Sequence, residues 1–393
     1  MAISAEKKKG LSNVLAQMNK RFGAGVVALA KDKEDELKTE FIRTPSHEFN
    51  AMLGGGFAKG RIVELYGENS SGKTTMLIET IAKNQKENPD FTAAWFETEG
   101  SIDQQTLEMF NVDLERLVFW NQDDVGAEQG LDILRGLVGS GEFDLVVVNS
   151  VAGLAPKKEI EDDIEKQNVA LTARIMSKLM RVLTGSAFKT KTCVAFVNQT
   201  RVNVGQMFGD PTTTTGGKAL AFFATTRVHM RRAKVMAGDP IKEENGLKIC
   251  CRVIKNRLAK KNPFTTCEYF AIYGEGIDTL TELPAMLERE GIMRKSGSWY
   301  YWEDENGNVI NFKGLECKFK SKAILVDALR DNPELADQLS KMLDEIITTG
   351  KVTQFSLSDE EIGEIKRLEA ELNESAEELG LEDHNQEELE AIA

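Results

Sequence analysis

Short apolar runs alternate with longer amphipathic stretches from about residue 40 to 278, and that rhythm is the most informative feature of the chain. "RIVELYG" (61–67), "TAAWFET" (92–98), "FDLVVVNS" (143–150) and "TCVAFVNQ" (192–199) are continuous apolar runs of strand length. Helical periodicity follows them at about 73–85, 103–110 and 167–184. Strands apolar on both faces, each followed by a helix, predict a mostly parallel sheet covered on both sides, an α/β fold. "TTRVHMRRA", "LKICCRVIKN" and "TCEYFAIYG" alternate more like hairpin strands and extend one edge. The stretch between about 111 and 142 receives no element.

The flanks have a different texture. Leu11, Val14, Leu15 and Met18 recur at helical spacing within residues 4–21, and "GAGVVALA" (23–30) reads as a short strand. A detached helix and strand at the start suggest an arm for a neighbouring subunit. Past residue 278 the pattern predicts a helix at 279–290, a hairpin with an Asn306–Gly307 turn, and helices at 320–330 and 333–348. The expected division is an arm (1–35), a core (36–278), a small α+β C-terminal domain (279–350) and a tail (351–393). The tail has Ile362, Ile365, Leu368 and Leu372 at helical spacing.

Charge changes the picture through its placement. The 393 residues carry a net charge of −14, which argues against nucleic acid as a partner. From Ser356 onward, however, 14 Asp and Glu face only Lys366 and Arg367, so −12 of that total lies in the tail and the body is nearly neutral. No apolar run approaches the ~20 residues that span a bilayer. The opening "MAISAEKKKG" lacks an apolar segment behind its lysines, so no secretory signal or membrane role is expected. Five cysteines without CxxC spacing favour free thiols in a reducing cytoplasm. Three scattered histidines argue against a His/Cys zinc site.

The candidate chemistry lies at strand ends. "GENSSGKTT" (Gly67, Glu68, Asn69, Ser70, Ser71, Gly72, Lys73, Thr74, Thr75) fits G-x-x-x-x-G-K-[ST] between a strand and a helix. Its glycines let backbone N–H groups curl around phosphate oxygens. Lys73 meets the β/γ-phosphates and the Thr74 hydroxyl serves Mg²⁺, which implies ATP with Mg²⁺ as cofactors. Glu97 and Glu99 end the next strand, where a carboxylate orients or deprotonates an attacking water. Asn198 and Gln199 end another, where an amide senses the γ-phosphate. The Gly- and Thr-rich stretch 202–219 reads as a mobile functional loop. "LVVVNS" delivers Asn149 where such hydrolases usually place an Asp near the metal. An amide accepts the bond of a metal-bound water but brings no charge, so weaker metal binding, though not a dead enzyme, is expected.

Taken together, "QMNKRFGAG", "GRIVELYGENSSGKTT", "SVAGLAPKKEIE", "ARIMSKLMR", "FVNQTRVNVGQMFGDPTTTTGGKAL", "IYGEGI", "SGSWY" and "RDNPE" stand in an order that resembles the bacterial RecA recombinase family over nearly the whole chain. The resemblance implies a P-loop ATPase whose subunits form a helical filament on single-stranded DNA, pair it with double-stranded DNA and exchange strands. It implies Glu99 as catalytic glutamate, Gln199 as γ-phosphate sensor and Lys73 as phosphate-binding lysine, with Asp103 and Thr106 near the base. Lys255 and Arg257 are then the pair reaching a neighbour's nucleotide, and Phe222 an interface aromatic. DNA contacts fall on Val169, Arg174, Ser177, Arg181, Arg201, Val204, Gly216, Gly217 and Lys218, around loops 157–169 and 200–217. Mg²⁺ is served by Thr74 and, through water, Asn149. Single-strand-binding and loading proteins are further implied partners. Asn149, Thr106 (for an aromatic ring) and Ala221 (for a residue that can be basic) mark a divergent member, compatible with a phage source. The rival readings are a hexameric helicase on the same core and a DNA-coating protein that binds ATP without turnover.

Overall fold

The computed structural model describes residues 3–161, 171–202, 212–259 and 264–350. In chain order, helix α1 (Ala5–Phe22) leads through a 3₁₀ turn (Ala30–Lys33) and the short α2 (Glu34–Leu37). Strand β1 (Phe41–Ile42), helix α3 (His47–Leu53) and strand β2 (Phe57–Ala58) then precede the main sheet. There follow β3 (Ile62–Gly67), α4 (Lys73–Glu87), β4 (Ala93–Glu97), α5 (Gln104–Met109), β5 (Leu117–Asn121), α6 (Gln122–Ser140), β6 (Leu145–Asn149), α7 (Lys157–Glu161), α8 (Leu171–Thr190), β7 (Cys193–Val202), β8 (Thr212–Thr214), α9 (Lys218–Phe223), β9 (Thr226–Ala233), β10 (Gly246–Asn256), β11 (Thr266–Ile272) and β12 (Gly276–Ile277).

The main sheet runs β12-β11-β10-β9-β3-β7-β6-β4-β5. Pairing is parallel from β9 through β3, β7, β6 and β4 to β5, and antiparallel among β9 to β12, as the alternation patterns predict. Successive residues of one strand serve opposite cores. Leu145 and Val147 join Val63, Leu65, Trp95 and the α4 face of Met76, Leu77 and Ile81. Val146 and Val148 join Ile62, Phe96, Leu131 and Leu134 of α6, and Met180 and Leu183 of α8. With both faces buried at about 25 cal/mol per Å² of apolar area, the central strands β3, β4 and β6 have no solvent side to place polar groups on. Apart from Glu64 on β3, which is paired with Asn198 and Arg227, their polar residues collect at the ends.

The unassigned stretch supplies β5 and α6. Its glycines obscure the helical signal, yet one has a packing reason: a Cβ on Gly130 would lie 2.1 Å from Cζ of Phe96. Gly126 sits at φ 71° in a kink within α6. Residues 23–30 do not form the expected strand, because no strand among the described residues pairs with them. Instead the Asn19 side chain satisfies both backbone groups of Val27, accepting from its N–H at 2.9 Å and donating to its carbonyl at 2.7 Å. Helix α1 ends at Gly23 and has no buried residue.

Beyond β12, Leu283–Arg289 (α10), Lys322–Asp331 (α11) and Pro333–Thr349 (α12) are helical, around a third cluster running from Leu283 to Ile346. The hairpin there turns at Gly297–Ser298, where Ser296 pairs with Trp299. Asn306–Gly307 also makes a turn, but beyond a single bridge between Glu303 and Val309. This unit is pinned to α3. Buried Glu282 accepts from Ser46 Oγ (3.0 Å) and the Glu48 N–H (2.9 Å), and His47 Nδ1 lies 3.1 Å from Asp344 Oδ1. Burial pushes Asp344 up, but the His47 hydrogen bond and the charges of His47, Lys83 and Arg43 outweigh it and hold its pKa below the ordinary value. All five cysteines are buried free thiols, and no described helix is long and apolar enough to cross a membrane.

Burial raises Glu282 to about 8, against the two hydrogen bonds that favour its charged form. A carboxyl raised on folding stabilises the protein below its unfolded pKa and loses that contribution as pH rises through the folded value. Glu282→Gln should therefore gain stability relative to wild type from about pH 4.5 to about pH 8, then stay level. Urea denaturation across that range measures it, and a pH-independent difference contradicts it.

Candidate nucleotide site at the carboxyl end of the sheet

The loop between β3 and α4 owes its shape to two close approaches. A Cβ on Gly67 would meet the Met230 carbonyl oxygen at 1.9 Å, so only glycine lets β3 pair with β9 here. Gly72 lies at φ 79°, and its Cβ would stand 2.4 Å from Ile249 Cδ1. Glu68, Asn69 and Ser70 are exposed on the outer turn, Ser70 with φ 56°, while Ser71 is buried. Lys73, only 6% exposed, folds back into the loop. Its ammonium donates to the Glu68 carbonyl (2.6 Å), Ser71 Oγ (3.1 Å) and the Gly67 carbonyl (3.4 Å). Burial lowers its pKa, opposed by the charges of Glu99 and Glu68. The 15-residue α4 starts at Lys73, so its first N–H groups and the ammonium converge where an anion would sit.

Across the loop lie the ends of β4, β6 and β7. Glu99 Oε1 accepts from Gln199 Nε2 at 2.9 Å and from the Ser150 hydroxyl. Glu97 and Asn149 are partners in the parallel ladder, and Asn149 Nδ2 donates to Glu97 Oε2 at 3.0 Å. That leaves Asn149 Oδ1 facing the Thr74 hydroxyl at 3.4 Å. A hard cation takes oxygen donors, and Thr74 Oγ1 with Asn149 Oδ1 offers two at the loop's mouth. The donor set fits Mg²⁺ carried with phosphate.

Residues 9–278 match the family model of the RecA N-terminal domain. The chain is also 39% identical over 344 residues to Protein RecA of Thermotoga maritima, covering 86% of this chain and 92% of that one. It is 38% identical over 371 residues to Protein RecA of Pseudarthrobacter chlorophenolicus, covering 94% and 99%. The chain belongs to the RecA family. That membership carries a general role in DNA recombination and repair, with ATP and DNA binding.

Other residues that the RecA resemblance singles out form two further groups. Arg174, Ser177 and Arg181 share one face of α8, with both arginines exposed. Gly216 and Gly217 pack against the segment before α7 and the start of α8, where added Cβ atoms would meet Val151 Cγ1 at 2.6 Å and Ala173 Cβ at 2.8 Å. Lys218 and Arg201 are exposed nearby in sequence, on α9 and β7. The described ends of the supposed 200–217 loop form a ladder, with Thr200, Arg201 and Val202 opposite Thr214, Thr213 and Thr212. Lys157–Glu161 is a short helix rather than loop. Val169 and Val204 lie outside the described residues.

In the second group, Lys255 Nζ donates to the carbonyls of Ala221 (2.8 Å) and Phe222 (2.7 Å), and Arg257 donates to Phe222 at 3.2 Å. Phe222 itself is 66% exposed, edge-on to Phe223. Burial and the neighbouring Arg257 and Arg227 charges push Lys255 down to about 8. Asp103 and Thr106 cap α5, the Thr106 N–H and hydroxyl donating to Asp103 Oδ1 at 2.8 and 2.6 Å. Sequence reasoning passed over Glu64, fully buried on β3, which accepts from Asn198 Nδ2 (2.9 Å) and Arg227 and so ties β3 to both its neighbours. Its signal was a lone charge inside an apolar strand.

Gly67→Ala should lower stability by about 3 kcal/mol, since the clash is with backbone. The urea midpoint reads this directly, and a loss below about 1 kcal/mol would mean β3 and β9 separate freely there.

Proposed function

We propose that this RecA-family chain is a DNA-stimulated ATPase that assembles as a helical filament on single-stranded DNA, pairs it with duplex DNA and exchanges strands. The observation that carries the reading is the Glu99–Gln199 hydrogen bond, because it joins the hydrolytic side of the nucleotide loop to the strand that continues into the β7–β8 hairpin. In this reading Gly67 to Thr75 hold the phosphates, and Lys73 exchanges its carbonyl partners for β/γ-phosphate oxygens. Thr74 and Asn149 hold Mg²⁺, which screens phosphate charge when bound. Glu99 orients and deprotonates the attacking water. Its bond from Gln199 gives way when Gln199 turns to the γ-phosphate, so nucleotide state reaches Arg201 and the hairpin along one strand.

Arg174, Ser177, Arg181, Arg201, Gly216, Gly217 and Lys218 face the DNA, together with Val169 and Val204. Lys255 and Arg257 reach the nucleotide of the next subunit, and Phe222 seats in that neighbour. A head-to-tail contact of this kind generates a helix when its rotation does not close. The unburied α1 supports an arm at 1–35 packed on a neighbour, and the third cluster supports treating 279–350 as a small domain. The acidic tail, 351–393, competes with DNA phosphates for the basic surface. Single-strand-binding and loading proteins act on the same filament, in a cytoplasmic setting.

Lys73→Ala should cut ATP hydrolysis by at least about a hundredfold, with or without single-stranded DNA. Turnover near that of wild type places the reaction elsewhere.

Phe222→Ala should shift monomer stability by no more than about 0.5 kcal/mol, as the ring is exposed. It should nonetheless abolish filaments seen by electron microscopy and the stimulation of ATPase by DNA. Intact filaments from this variant would remove Phe222 from the interface.

A further inference from the structure

The site described above has a carboxylate that the proposed reaction leaves unused. Glu97 is 2% exposed and stands directly across the ladder from Asn149. Its Oε2 accepts from Trp95 Nε1 (3.0 Å) and Asn149 Nδ2 (3.0 Å), and its Oε1 from the N–H of Glu99 (2.8 Å) and, more weakly, from the N–H and hydroxyl of Ser101 (both 3.4 Å). Each of these donors is neutral. Five neutral donors are aimed at its two oxygens and no cation is among them, so the negative charge such a carboxylate carries acts on its neighbours through the low-dielectric interior without being cancelled locally.

Asn149 is the neighbour that lies between Glu97 and the cation position. Its Nδ2 is committed to Glu97 and to Ser101 Oγ (3.1 Å), so the side chain has one orientation that satisfies it, and in that orientation Oδ1 faces Thr74. An Asn at position 149 facing anything but an acceptor would be free to present nitrogen to the ion. A carboxylate at 97 forbids this.

We propose that Glu97 supplies the negative charge of the magnesium site in place of position 149, acting as a positioning residue through the Asn149 amide. In this arrangement the charge lies one strand sideways along a ladder rung, and the Asn149 amide relays it while keeping oxygen toward Thr74. The proposal rests on the reading of the loop as a Mg²⁺·nucleotide site. It also makes Glu97 and Asn149 one unit, so that a replacement at 149 alone does not measure how well the ion is held.

Equilibrium binding of a fluorescent non-hydrolysable ATP analogue to the full chain, titrated with Mg²⁺, tests this without turnover. Glu97→Gln should raise the Mg²⁺ concentration for half-maximal binding about tenfold. It should leave the affinity in excess chelator within about twofold, since the loop backbone and Lys73 bind phosphate without the ion. In the double variant Glu97→Gln/Asn149→Asp the rung hydrogen bond is kept with its direction reversed, the introduced amide donating to the introduced carboxylate. That double variant should return the Mg²⁺ requirement to within about threefold of wild type. An unshifted Mg²⁺ requirement in Glu97→Gln overturns the proposal, as does equal loss of affinity with and without Mg²⁺, which marks a purely structural role. Should the single variant fail to fold, a double variant that folds but still needs about tenfold more Mg²⁺ overturns it as well. Nucleotide binding by wild type that ignores Mg²⁺, or is missing, instead overturns the underlying reading of the site and the proposal with it.

Discussion

A parallel sheet covered on both faces leaves its strands one outlet for polar side chains that are not paired inside it as Glu64 is, and that outlet is their carboxyl ends. The register decides who meets there. Because β4, β6 and β7 run in the same direction beside one another, Glu97 lies opposite Asn149, and the turn after β4 brings Glu99 to Gln199 on β7. Shift any one strand by a residue and the buried faces invert together with the site. The core packing of Val146, Val147 and Val148 is in this sense what holds the candidate chemistry in place.

The path from the candidate nucleotide loop to the proposed DNA surface follows from the same constraint. Strand β7 is core for its first residues, carries Asn198 and Gln199 at the sheet's end, and leaves as an exposed hairpin with Arg201. No hinge or separate lever intervenes among the described residues of that strand. On the opposite side of β3, Glu64 binds Asn198 and Arg227 together, so a shift of β7 meets resistance from β9. The Lys255 ammonium fastens the carbonyl of exposed Phe222, which joins the two residues given to the neighbouring subunit into one body.

Much of this was legible in the chain. Burial on both faces made the central strands readable as short, almost wholly apolar runs, and the phosphate loop was readable because its glycines have fixed spacing. What was missed or misread failed for local reasons. The α6 segment has glycines where helix formers are expected, one required by Phe96. "GAGVVALA" has strand composition, but a strand is a pairing and no described residue pairs with it; a side-chain clamp from Asn19 took its place. The 202–219 stretch read as loop because its threonines and glycines are polar; within it Thr212–Thr214 pairs with β7, since threonine pairs well at a sheet edge. Glu97 was visible beside Glu99 and was weighed only as a strand end. Its contact with Asn149 depends on register between strands separated by some fifty residues, which spacing along one strand does not reveal.

Helix α1 has a thermodynamic character of its own. None of its 18 residues is buried, so its order in the lone chain comes from local terms, chiefly the Ser4 cap bonded to the Lys7 N–H and the turn at Gly23. A cap contributes about 1 kcal/mol, and a helix of this length without packing is only marginally formed in water. Heat and denaturant therefore act on α1 as they act on a peptide, gradually and apart from the cooperative melting of the sheet. Any surface that comes to cover Leu11, Val14 and Phe22 must first supply the free energy of ordering it, and what remains is the measured affinity. A short truncation or a helix-favouring substitution in this arm would then alter association strength while touching no contact in the interface.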